Sequence, residues 1–114
     1  MGRSFLLENR EYILYHVYQE RRVYNMRELL LESQEVAGEG KRLRCRYLIM
    51  VGEKKIGDFS CEAYGVKIVN EATGETAEFP DLTVSAARID ELMELLVRNG
   101  VTPAGLEDVI ADWL

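Results

Sequence analysis

Between residues 42 and 51 apolar and polar side chains alternate. Leu43, Cys45, Tyr47, Ile49 and Val51 fall on one side of an extended chain, and Arg42, Arg44 and Arg46 begin the other. This period of two predicts a strand over 42–50. A Gly52-Glu53-Lys54-Lys55 turn then leads into a second long strand over 56–70, with Tyr64, Val66 and Ile68 on a shared face. Gly65 inside that run points to a bulge. Glu71-Ala72-Thr73-Gly74 reads as a tight connection, its glycine suited to the left-handed conformation, and residues 75–79 return as a third strand. The outcome is an antiparallel meander that Pro80 and Asp81 should end.

Beyond it the period changes to 3.6. Ser85 is a favourable N-cap for a helix that places Ile89, Leu92, Met93 and Leu96 on one face, with Val84 and Ile89 as a staple and Gly100 as terminator. Thr102-Pro103 opens another helix, stapled by Val101 and Leu106, whose apolar face holds Leu106, Val109, Ile110, Trp113 and Leu114. Toward the amino terminus, residues 12–18 suit a strand, and a helix through Leu6, Ile13 and Val17 suits them nearly as well. Asn25 as cap, Glu28 at the capping-box position and Tyr24 stapled onto Leu29 predict a short helix over 26–34. The Gly-rich stretch 37–41 reads as a linker. The expectation is a single α+β domain over 1–114: an N-terminal arm (1–36) with a short helix, an antiparallel sheet of three or four strands (42–80), and a C-terminal helical hairpin (85–114).

Size and composition agree with one folded domain, since 114 residues with 47% apolar content are enough to build a core. No apolar run approaches the roughly 20 residues that span a bilayer. The apolar stretch at Phe5-Leu6-Leu7 is too short for a signal peptide, and Leu6 stands where a myristoylation motif needs Ser or Thr. A cytoplasmic protein with reduced Cys45 and Cys61 is therefore expected. Charge is unevenly spread: residues 1–57 carry 11 basic and 8 acidic groups, net +3, while residues 58–114 carry 3 and 12, net −9. Phosphate binding by the second half is disfavoured.

Tyr64-Gly65-Val66, the Glu-Ala-Thr-Gly-Glu turn at 71–75, Asn99-Gly100-Val101-Thr102-Pro103 and the closing Leu106 to Leu114 together resemble a family of small uncharacterised bacterial proteins classed as a domain of unknown function. The resemblance spans roughly residues 62–114, and the first 60 residues depart from the family's pattern. It implies a bacterial cytoplasmic protein and brings no catalytic residues with it.

Candidate chemistry is sparse. Gly52 to Gly57 matches the start of a phosphate-binding loop, but Asp58 stands where the lysine belongs, so a hairpin loop is the better reading. His16 is the only histidine, and the two cysteines lack metal-ligand spacing. An enzyme would have to unite His16 with Asp58, Ser60 or Cys61, and no spacing does so. No catalytic, cofactor or metal residue is assigned. A helix-turn-helix at the last two helices would present Ala104, Glu107, Asp108, Ala111 and Asp112 to phosphates, which repel them.

Two surfaces remain. The final helix, with Glu107, Asp108, Asp112 and Trp113, fits a non-catalytic interaction or regulatory module that selects a basic protein partner or a second copy of itself. The stripe Arg42, Arg44 and Arg46, with nearby tyrosines, is the alternative, as a site for RNA or single-stranded DNA. Cross-strand pairing of those arginines with acids such as Glu62 or Glu78 competes with it.

Overall fold

The computed structural model describes residues 27–38 and 40–114. The expectations for residues 12–18, the Asn25 cap, Tyr24 and His16 lie outside the described residues. Four strands, β1 (Arg27–Gly38), β2 (Lys41–Ile56), β3 (Phe59–Asn70) and β4 (Thr76–Thr83), form one antiparallel sheet in sequence order. Helix α1 (Ala86–Arg98), a 3₁₀ turn (Pro103–Gly105) and helix α2 (Leu106–Trp113) follow. The α+β class and the meander with two C-terminal helices hold.

The alternation in β2 has the expected physical meaning. Cys45, Tyr47, Ile49 and Val51 are buried on the inner face with Tyr64, Val66 and Ile68 of β3 and Leu29 and Val36 of β1, and α1 and α2 cover them with Ile89, Leu92, Met93, Leu96, Leu106 and Ile110. Two side chains from the sheet also tie down the end of α1. The fully buried Tyr47 donates its hydroxyl to the carbonyl of Val101 at 2.8 Å, and Gln34 Nε2 donates to the carbonyl of Val97 at 2.7 Å. The last carbonyls of a helix have no partner within it, and Gln34 adds a side-chain donor to one of them from across the core.

Two helix signals in the sequence, Ser85 and Gly100, work as expected. Ser85 caps α1, its hydroxyl accepting from the Arg88 amide at 3.1 Å. Val84, meant as its staple, stays half-exposed. At the other end Gly100 takes φ 60, its amide bonds the Val97 carbonyl, and the Val101 amide bonds that of Leu96, which is the paired closure of a Schellman motif. The 71–74 connection is also as read: Gly74 has φ 81, and the Asn70 side chain accepts from the Ala72 amide at 3.0 Å.

Four expectations are corrected. Residues 27–34 are not helical but the first part of β1, paired with β2 from Arg27↔Val51 to Gly38↔Lys41. For the same reason 37–41 is no linker: Gly40, at φ 76, belongs to a hairpin turn that joins two strands of one sheet. Gly52 to Lys55 are not a turn either, because β2 runs through them and the chain reverses at Gly57, φ 63, and Asp58. Finally, Pro80 and Asp81 do not end the sheet.

They form its bulge. Tyr64 pairs with Thr83 and Val66 with Phe79, so one residue of β3 faces three of β4, and Asp81 takes φ 59. The extra residues are in β4, and Gly65 is the residue that makes room for them. A Cβ there would lie 2.2 Å from the Phe79 oxygen and 2.5 Å from the Pro80 Cα. Proline suits this place because β4 is an edge strand and its missing N–H breaks no ladder.

Candidate functional site

The arginines occupy the outer face, away from the helices. Arg42, Arg44 and Arg46 are all exposed on β2, as the alternation requires. Arg42 is bonded to Glu35 at 3.1 Å, and register also sets Arg44 opposite Glu35 and Arg46 opposite Ser33. Cross-strand pairing therefore occurs, but not with Glu62 or Glu78. Glu62 takes Arg27 at 3.0 Å, and Glu78 lies 3.9 Å from Lys67. Beside the stripe, Ser33 donates to Glu71 at 2.8 Å, which brings a second carboxylate to that end of the face.

Further along the outer face Lys67 also bonds Glu28 at 2.9 Å. Glu28 stands beside Met50 on one flank of β2 and Lys67 beside Leu48 on the other, so their bond bridges over β2. Leu48 and Met50 are 6% and 4% exposed although they face away from the helix-covered core. Charged heads above and aliphatic stems alongside are how such pairs shield apolar surface.

The residues expected on the final helix divide in two. Glu107, Asp108, Ala111 and Asp112 are exposed together, as is Ala104 just before them, and among the described residues no cation pairs with the three carboxylates. Glu107 and Asp108 sit in the first turn, where the helix dipole favours negative charge. Trp113 is half-buried against the core, and its ring carries the Arg88 guanidinium 4.4 Å from its centroid. Leu114, by contrast, is exposed. The helix thus buries Leu106 and Ile110, holds Trp113 in a cation–π contact with α1, and turns an unneutralised acidic edge to solvent.

Asp58, Ser60 and Cys61, candidates for an enzyme site, are strung along the β2–β3 hairpin. Asp58 is at its turn, Ser60 donates to Glu53, and Cys61 lies opposite Lys54. A separate cleft of about 540 Å³ opens at the other end of the sheet between the strand turns and the α1–α2 connection, with Lys41, Thr73, Glu75 and Thr102 among its walls. Among the described residues no group of three or more His, Cys, Asp or Glu is arranged to hold a metal ion, and no helix is long and apolar enough to cross a membrane.

One feature escaped the sequence reading: Ile56 and Phe59 pair across the tip of the hairpin and are exposed. A turn assigned to 52–55 hid it. The signal was the Gly57-Asp58 pair, flanked by Phe59, Cys61 and Ala63 alternating with Ser60 and Glu62.

These observations define a small α+β domain, an antiparallel four-stranded meander backed on one face by two helices. The chain belongs to a family of unknown function (DUF6514), whose model matches residues 26–114. The match begins well before residue 62, so β1 and β2 are part of the family's domain. No curated protein and no solved structure matches the chain.

Proposed function

We propose that the protein is a non-catalytic interaction module of a bacterial cytoplasm, whose partner presents a basic surface to α2. The observation that carries this reading is the acidic edge of α2: Glu107, Asp108 and Asp112 are exposed side by side and unpaired among the described residues, on a helix anchored by Leu106, Ile110 and the Arg88–Trp113 contact. Like charges held together on a rigid element are unfavourable alone and become favourable when an opposite surface meets them. Such an edge sets association rate and partner choice more than affinity.

Capture of the tagged full-length chain from lysate, before and after nuclease treatment, tests it against a Glu107→Lys/Asp108→Lys variant. A stoichiometric protein that survives nuclease and is lost by at least about tenfold in the variant is expected, since reversing charges costs several kcal/mol at such a contact. Retention by the variant rejects the α2 surface. Nucleic acid that disappears with nuclease would move the site to Arg44 and Arg46. Those two remain exposed, but Glu35 and Glu71 dilute the stripe's charge, so the geometry favours the acidic surface.

A further inference from the structure

Among the described residues, strands β2 and β3 outrun their neighbours. β1 accompanies β2 only as far as Val51 and β4 accompanies β3 only as far as Tyr64, so among the described residues 52–56 and 59–63 form a two-stranded arm. Register sorts its side chains into two rows. Gly52, Lys54 and Ile56 share the outer face with Phe59, Cys61 and Ala63, and Glu53, Lys55, Ser60 and Glu62 point the other way. The second row is wholly polar. The first is apolar except for Lys54, whose ammonium is drawn to Asp81 at 3.4 Å. That is the pattern of a strand pair with one face in water and the other covered.

The apolar face has a ridge and a hollow. At the tip Phe59 is 77% exposed and Ile56 53%. At the root a hollow of about 270 Å³ opens between Met50, Ala63 and Pro80, with Glu53, Lys54 and Asp81 also lining it. The volume suits an aromatic side chain.

We propose that a second copy of this chain docks on the strip, outer face to outer face, about a two-fold axis at the level of Cys61. Ridge and hollow lie at opposite ends of one face, so that single axis seats each Ile56–Phe59 ridge in the other copy's hollow. The contact is self-complementary and closes at the dimer. Lys54, opposite Cys61 at the axis, is already neutralised by Asp81, so the two ammonium groups do not meet there as uncompensated like charges. Two aromatic anchors on a narrow strip give an interface at the small end of the range, with a dissociation constant on the order of 10 µM. This face is separate from α2, so it stands or falls independently of the partner assigned there.

Sedimentation velocity of the full-length chain from roughly 1 to 300 µM tests the dimer. A short bismaleimide reads the axis directly, because Cys61 is accessible and the only other cysteine, Cys45, is buried. The expected result is a doubling of mass across that range and a cross-linked dimer through Cys61. The Ile56→Ser/Phe59→Ser variant, altered only at exposed positions, should weaken association by at least about tenfold and abolish the cross-link. Lys55→Ser, in the polar row, should leave both unchanged, as should Glu107→Lys/Asp108→Lys. A chain that stays monomeric throughout, or association that survives the tip variant, overturns the proposal.

Discussion

Gly65 shows how much one missing side chain can permit. With a Cβ only 2.2 Å from a backbone oxygen of β4, Gly65→Ala forces the strands apart instead of displacing a flexible side chain. Overpacking of this kind costs about 3 kcal/mol, which urea denaturation should register as a lower midpoint at unchanged slope. The sequence marked this residue as a bulge position. It could not show that the extra residues were in the partner strand, because Pro80 and Asp81 look like a strand end until Thr83 is seen pairing with Tyr64. Ser85 and Gly100 were legible for a simpler reason: a cap acts on amides within a few residues of itself, so its whole mechanism is local.

Element identity was legible wherever the period was unbroken and lost where it was not. In β1, Leu29 faces inward and Leu30 outward, but Leu31 is an extra residue in the register and also packs on the core. Three consecutive leucines with Glu28, Glu32 and Glu35 around them then imitate a helix. The long-range ladder with β2 overrides that local preference. Gly52 to Lys55 failed differently: they extend past the core, so both rows read as polar enough for a turn. Between the helices, Arg88 links α1 to Trp113 of α2. Arg88→Ala should lower stability by about 0.5–1 kcal/mol and shift the emission of this single tryptophan. Fluorescence-monitored urea unfolding checks both; an unchanged spectrum would mean that the ring does not depend on the guanidinium.

For the whole molecule, the core's most consequential titrations lie on the alkaline side. Burial, then the nearby carboxylates of Glu71 and Glu75, push the Cys45 thiol above its ordinary 9.0. Burial also pushes the Tyr47 phenol above 10.0, with a hydrogen bond from Gln34 opposing the rise and Cys45 adding to it. Both groups hold their protons more tightly when folded. Their contribution is therefore fully present below pH 9.0, and above it the unfolded chain sheds protons that the folded chain retains. Unfolding free energy measured by urea titration should be level through neutral pH and decline above 9.0, with part of the decline removed in Cys45→Ala.

The Glu28–Lys67–Glu78 bridge on the outer face acts on register as a parity check. A slip of β1, β3 or β4 by one residue would exchange its two rows and drive Glu28, Lys67 or Glu78 in among core residues such as Ile49 and Val66, where no water could solvate it. Slips by two would preserve the rows but pull Glu28 and Lys67 about 7 Å out of reach. Odd and even errors are thus both penalised for the strands that carry the bridge, which holds β1 and β3 in step across β2.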